Sequence, residues 1–250
     1  MKSDMGKLRG LRLPMPPCDA AAATIRAMDL ITEITLVCVA MPAAVAALAL
    51  LLAPRHGDNI VRGAIATGGA FLLVMLVLPW VSLAPQRAWQ WLGYLAAGAG
   101  VVSALGGKHW LAHIAGVLTC VAAGWLLVPE YPKTADSIVL YRVAVGVTVG
   151  LVWWALEHMA DHTEPTPTGW LWLTIALAGA ALCERAGIAK FIQLQTAMAA
   201  SLGVIALVGV FKPLGRSLRG AAGPFAVVLV GLAVNAWIET FLGVPLVSFL

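Results

Sequence analysis

The sequence has 250 residues, of which 61% are hydrophobic and only 11% are charged. A soluble globular domain carries about 25% charged residues, so this composition excludes a soluble fold and predicts an integral membrane protein. The net charge of +4 is small for this length, and the basic residues are scattered at the ends of apolar runs. A nucleic-acid-binding protein would gather them into a patch. We therefore expect membrane lipids, and no nucleic acid, as partners.

Long apolar runs without charged residues recur along the chain and mark candidate membrane spans. A charge at the bilayer centre costs about 3 kcal/mol on insertion scales, and a helix needs about 20 apolar residues to cross. The runs predict an all-α integral membrane protein, a bundle of about eight transmembrane helices with short loops, in a single domain over residues 30–250 after a basic tail at 1–29. We predict spans near residues 31–53, 62–82, 88–106, 109–128, 137–157, 168–186, 190–211 and 221–241.

Two features refine this topology. The span near 88–106 is rich in Gly and Ala, so a re-entrant segment is an alternative to a full crossing there. Eight spans would place both termini on one side of the membrane, together with most of the Lys and Arg residues. The positive-inside rule then predicts cytoplasmic N- and C-termini. The bias toward Ala, Gly, Val and Leu favours a bacterial cytoplasmic membrane.

Small residues inside the spans have a packing interpretation. Cys38, Cys120 and Cys183 fall within apolar runs and have no CxxC spacing, so we expect them to behave as small buried hydrophobes. Gly146 and Gly150 are four residues apart in the fifth span. This spacing predicts a close contact with a neighbouring helix.

All five histidines fall on the side opposite the termini in this topology. His109 with His113, and His158 with His162, are four residues apart and share a helix face. Imidazole groups bind transition metals and haem iron, and the carboxylates of Glu157 and Asp161 could complete a metal shell. The pattern therefore suggests a metal ion or haem site formed by His109, His113, His158, His162, Glu157 and Asp161. The alternative is that these histidines are solvated at the membrane interface without a ligand.

A second group of polar residues lies near span ends on the side of the termini. Its members are Glu33, Arg142, Glu184, Arg185, Gln193, Asn235 and Glu239. Ionisable residues in membrane spans often mark an ion, proton or substrate pathway. The structural alternative is an ion pair between Arg142 and one of the glutamates, which would fix helix register without transport.

Three functional hypotheses follow from these patterns. The HExxH, GxSxG, P-loop and GxGxxG motifs are absent, which argues against an enzyme. A chain that is nearly all membrane, with polar residues near one face, favours a small permease or channel-like transporter of an unidentified solute or ion. The alternatives are a histidine-based metal or haem redox protein, and a non-catalytic subunit that forms homo-oligomers or binds other membrane subunits. The transporter hypothesis predicts a water-accessible cavity between helices that reaches Arg142 or Glu239.

Overall fold

The structure, a computed structural model, describes residues 32, 35–52, 59–78, 81, 83–105, 110–130, 137–185, 188–211 and 217–240. Within these ranges the chain forms helices joined by short connections and contains no strand. We number the helices α1 to α8 in chain order. The first three helices are composite: α1 joins the π-helical turn Leu36–Ala40 to the α-helix Met41–Leu52, and α3 joins the 3-10 turn Ala88–Trp91 to the α-helix Leu92–Ala104. In α2, the π-helical turn Ile65–Gly69 lies between the α-helical segments Asn59–Ala64 and Ala70–Val77. The other five are uniform: α4 (Trp110–Leu127), α5 (Ile138–His162), α6 (Pro165–Arg185), α7 (Ala189–Phe211) and α8 (Ser217–Glu239).

Six helices, α2 and α4 to α8, are long and apolar enough to cross a membrane. A helix overlaps each of the eight predicted spans, but α1 and the α-helical part of α3 are shorter than the others in the described part of the chain. The protein is therefore an all-α protein with six candidate membrane-spanning helices. The predicted count of about eight is not confirmed. The predicted tail at 1–29 lies outside the described residues.

Two helix boundaries differ from the predicted spans for identifiable reasons. α5 continues beyond Glu157 to His162, because the polar residues of its last turns have partners on the helix itself and on α8. α6 begins at Pro165, ahead of the predicted residue 168. Proline is tolerated in the first turn of a helix, where its missing N–H would have no partner.

Helix α8 is the centre of the bundle, and most of its side chains are buried. It packs against α2, α3 and α5. Glycines make these approaches close: a Cβ at Gly220 would lie 1.8 Å from the Ile60 carbonyl oxygen, and one at Gly63 would lie 1.7 Å from the Ser217 carbonyl oxygen. The backbones of α2 and α8 are therefore in direct contact.

The remaining helices form two antiparallel hairpins on this centre. α6 packs on α7, which also contacts α1, and α4 packs on α5. We call the end of the bundle where α4 ends and α5 begins the first end; Arg142, Lys190 and Glu239 lie there. The opposite end, with Asp161 and Arg219, is the second end. α4 and α5 are the least buried of the six long helices.

Candidate functional site

A cavity of about 670 Å3 lies between α4 and α5. Val117 and Val121 of α4, with Val143 and Val147 of α5, line its walls and are exposed on the outer surface of the bundle. The cavity is therefore a groove that opens toward the surrounding membrane, and we call it the α4–α5 groove. Its volume lies in the range of about 300–1,000 Å3 that is usual for small-molecule sites.

Small residues set the depth of the groove. A Cβ at Gly124 would lie 2.2 Å from the Arg142 carbonyl oxygen, and one at Gly146 would lie 2.9 Å from the Cys120 carbonyl oxygen. The two helices therefore touch at these glycines, and the predicted close contact at Gly146 is confirmed. A Cβ at Gly150 would meet the Cys120 Sγ atom at 3.5 Å, an ordinary contact. Cys38 and Cys183 are buried as expected, but Cys120 is only partly buried and lines the groove.

The groove carries polar side chains at its second end. The Trp153 indole Nε1–H donates a hydrogen bond to the Glu157 carboxylate at 2.9 Å, and both side chains line the groove. Ser103, on α3, also lines it and is buried, and its hydroxyl has no hydrogen-bond partner among the described residues. His113 lies near enough to Glu157 to interact with it electrostatically. A hydrogen-bonding ligand at this end would find both donors and acceptors.

Helix α8 contributes one cation to the second end. The Arg219 guanidinium lies 3.1 Å from the Asp161 carboxylate and lines the groove. Arg219 directly precedes Gly220, so the close contact of α8 with α2 fixes the position from which Arg219 reaches α5. Arg219 and Asp161 also interact electrostatically with Glu157.

In the described part of the chain, one cation lines the groove near its first end. The Arg142 guanidinium lies 4.3 Å from the centre of the Trp125 ring and 3.7 Å from the Glu130 carboxylate. Arg142 is 15% exposed, whereas Glu130 is 82% exposed. Among the described residues, the buried Nε–H of Arg142 has no hydrogen-bond partner. The ion pair with Glu130 therefore leaves part of the guanidinium unsatisfied.

The groove runs along most of the depth of a membrane. At about 1.5 Å per residue, α5 rises about 22 Å between Arg142 and Glu157, compared with a hydrocarbon core of about 30 Å. Between the two ends the lining is formed by valines, glycines, Trp154 and Cys120. The site is thus an apolar groove with Arg142 near its first end and with Glu157 and Arg219 near its second end.

The predicted histidine cluster is partly assembled at the second end. The rings of His158 and His162 lie 4.0 Å apart, and Trp154 stacks on His158 at 5.7 Å. His113 faces the groove, whereas His109 lies outside the described residues. Within the described ranges, no three His, Cys, Asp or Glu side chains are close enough together to hold a metal ion. Metal or haem binding by the six predicted residues stays a prediction.

The seven polar residues predicted to gather near the first end are divided among several locations. Glu239 forms an ion pair with Lys190, and Arg142 contacts Glu130, a partner that the sequence interpretation did not include. Glu184 and Arg185 are exposed, and Gln193 is half-buried. Asn235 is buried and donates hydrogen bonds to carbonyl oxygens of α4 and α8. Glu33 lies outside the described residues.

Sequence reasoning missed several residues of the groove. Ser103, Trp153 and Arg219 carry no motif, and α3, α5 and α8 bring them together only in the fold. One usable signal existed, because Trp153 and Glu157 are four residues apart and therefore share a helix face. The predicted cavity at Arg142 is present, but it does not include Glu239.

Comparison with known proteins reveals no relative. The sequence matches no protein-family model, and no curated protein or solved structure matches it. The functional argument therefore rests on the chemistry of the groove.

Proposed function

We propose that this protein is a small membrane transporter that moves an amphiphilic solute along the α4–α5 groove. One observation carries the proposal: the same apolar groove has Arg142 near one end and Glu157 with Arg219 near the other. Polar groups at both ends would receive the polar part of a solute. The apolar wall between them would accompany its apolar part across the membrane.

The lining favours an amphiphile over a bare ion. Ion pathways present rings of carbonyl oxygens or charged side chains that replace the water around the ion. The middle of the α4–α5 groove presents Val121, Val143 and Val147 instead, and all three are exposed on the surface of the bundle. A charge moving alone past these side chains would meet the desolvation cost of the bilayer interior. A solute with an apolar body would not.

The topology that fits this function has eight crossings, with both termini in the cytoplasm of a bacterial cell. The 3-10 turn and α-helix of α3 rise about 28 Å together, at about 2.0 and 1.5 Å per residue, close to the hydrocarbon thickness of about 30 Å. α1 rises about 26 Å over its described length on the same basis. Arg142 would then lie near the cytoplasmic face, and Glu157 near the opposite face.

Lipid translocation in proteoliposomes tests the proposal with an amphiphile as the probe. Phosphatidylglycerol and phosphatidylcholine, each bearing a nitrobenzoxadiazole (NBD) label on one acyl chain, are placed in both leaflets of separate vesicles, and dithionite added outside bleaches the outer leaflet. A protein that transports the labelled lipid moves it from the inner to the outer leaflet, where dithionite bleaches it. The bleached share of the label then exceeds the share that was initially in the outer leaflet. Potassium efflux from the same vesicles is measured as the control for a leak.

Two matched glycine substitutions connect the flux to the groove. A Cβ at Gly116, which lines the groove, would meet only Val102 Cγ1, at 3.9 Å, so Gly116→Phe fills the groove without a backbone clash. Gly98 has no described atom within 4 Å of its Cβ position and lies outside the groove lining, so Gly98→Phe is the control. We expect Gly116→Phe to abolish lipid translocation and Gly98→Phe to retain it. Equal flux from both variants, or none from the wild type, would contradict the proposal.

A further inference from the structure

The first end of the groove contains a cation, Arg142, whose buried Nε–H has no hydrogen-bond partner among the described residues. The Arg142 guanidinium packs over Trp125, and its ion-pair partner among the described residues is a strongly exposed glutamate, Glu130. Exposed ion pairs contribute little, because water competes for both charges. The planar guanidinium presents five N–H donors that suit a phosphate group. An anionic ligand at this position would satisfy donors that the protein leaves open.

The distance from Arg142 to the polar second end matches one half of a bilayer. α5 rises about 16 Å from Arg142 to Trp153, and one leaflet of a hydrocarbon core is about 15 Å thick. Along this stretch the groove is lined by apolar and small side chains and is open to the membrane. An acyl chain that starts beside Arg142 would therefore end where the polar groups of the second end begin.

The charged side chains that line the groove differ between its two ends. Arg142 is the lining cation near the first end, whereas Glu157 and Arg219 offset each other near the second. A negatively charged headgroup is therefore favoured at the first end. A zwitterionic headgroup has no such preference.

We infer that the α4–α5 groove binds an anionic phospholipid, with its phosphate on Arg142 and one acyl chain along the groove toward Trp153. The inference rests on the proposed function in one respect: it identifies the transported amphiphile as an anionic membrane lipid. Binding itself requires no transport. Basic pockets between membrane helices on the cytoplasmic side are known sites for anionic lipid headgroups.

Native mass spectrometry of the intact protein measures this selectivity without flux. The detergent-solubilised protein is mixed with equimolar phosphatidylglycerol and phosphatidylcholine of identical acyl chains, and the two bound populations are compared. We expect the wild type to prefer phosphatidylglycerol by about fivefold, the factor for one basic residue facing an anionic headgroup. Arg142→Gln should lower the preference toward unity, and Arg142→Lys should retain most of it.

Arg185→Gln is the matched control. Arg185 is exposed at the end of α6 and outside the groove lining, so its loss removes the same charge without changing the groove.

Inorganic phosphate, added as competitor, should not displace the lipid if the acyl chain contributes to binding; displacement would identify a simple phosphate site and overturn the inference. Equal loss of selectivity in Arg185→Gln and Arg142→Gln, or a wild type without selectivity, would also overturn it. If Arg142→Gln does not fold, alkylation of Cys120, which lines the groove, takes its place: the bound phosphatidylglycerol should be lost, and unchanged selective binding would overturn the inference.

The inference and the proposed function fail separately. Selective binding of phosphatidylglycerol without NBD-lipid translocation would leave the lipid site standing and refute transport. Translocation that Gly116→Phe blocks, without any headgroup preference in binding, would leave the transporter standing and refute the anionic lipid.

Discussion

Replacing Gly220 by alanine tests the helix contact that positions the second end of the groove. A Cβ at residue 220 would lie 1.8 Å from the Ile60 carbonyl oxygen and 2.8 Å from the Ala64 nitrogen. Both are backbone atoms, so no side-chain rotation can relieve the clash. α8 and α2 would have to move apart by more than 1 Å to restore a normal contact of about 3.5 Å.

The expected cost follows from two opposing terms. Overpacking a close contact costs about 1–3 kcal/mol, and alanine favours a helix over glycine by about 1 kcal/mol. Because both clashing atoms are backbone atoms, the overpacking cost should lie in the upper part of that range, about 2–3 kcal/mol. We therefore expect a net destabilisation of about 1–2 kcal/mol, or a melting temperature lower by about 2–8 °C at 2–4 °C per kcal/mol for a chain of this size. Gly98→Ala gains the same helix preference, and its Cβ meets no described atom within 4 Å. This variant should therefore be as stable as the wild type or more stable.

The assay is thermal unfolding of both purified variants in the same detergent at one scan rate, followed by tryptophan fluorescence. A fixed scan rate is needed because membrane proteins often unfold irreversibly. Gly220→Ala and Gly98→Ala should shift the melting temperature in opposite directions or differ clearly in size. Equal shifts would refute the backbone contact between α2 and α8, and with it the argument that this contact positions Arg219.

Two further stability predictions concern the first end. Asn235→Ala removes the buried amide that joins α8 to the last turn of α4 and should cost about 1 kcal/mol; an unchanged melting temperature would show that the interhelical bond contributes nothing. Glu239→Gln breaks the partly buried pair with Lys190 and should cost about 1 kcal/mol or less. The exchange Lys190→Glu with Glu239→Lys should restore part of that loss, and a double variant less stable than the single one would contradict a direct interaction.

The helices were predictable from the sequence because membrane insertion depends on local composition. A charged residue inside the bilayer is costly, so charge-free runs indicate α4, α6 and α7 directly. The third helix was harder to judge, since its run rich in Gly and Ala left a re-entrant segment as an alternative to a full crossing. The end of α5 was predicted too early, at residue 157, because Asp161 in its last turns pairs with Arg219 of α8, a partner that only the folded chain supplies.

The groove could not be predicted, because it depends on the way the helices face each other. Gly124 and Gly146 determine where α4 touches α5, and the residues on either side of that contact become groove or surface accordingly. Arg142 was identified as a candidate, but its neighbours Trp125 and Glu130 were not, since α4 places them beside it only after the hairpin forms. Sequence spacing indicates which residues share one helix face. It does not indicate which face of the next helix they meet.

The two other hypotheses stay predictions with their own tests. Metal analysis and an optical spectrum of the purified protein, compared with a variant in which His109, His113, His158 and His162 are replaced by alanine, address the metal or haem site. A non-catalytic subunit would bury the exposed faces of α4 and α5 against another protein chain. A defined larger assembly isolated under mild detergent conditions, with no lipid translocation, would support that hypothesis in place of transport.

Reversible blocking of the groove tests the transport proposal most directly, because flux is compared within one protein preparation. Cys120 lines the groove and is partly exposed, whereas Cys38 and Cys183 are buried. A variant that retains Cys120 as its sole cysteine is modified with hexyl methanethiosulfonate, and intact mass confirms one adduct. Cys120→Ser in the same background is the control. We predict that NBD-lipid translocation stops on modification, returns when dithiothreitol releases the adduct, and is unaffected by the reagent in the control. Undiminished translocation by the fully modified protein would show that lipid does not move through the α4–α5 groove.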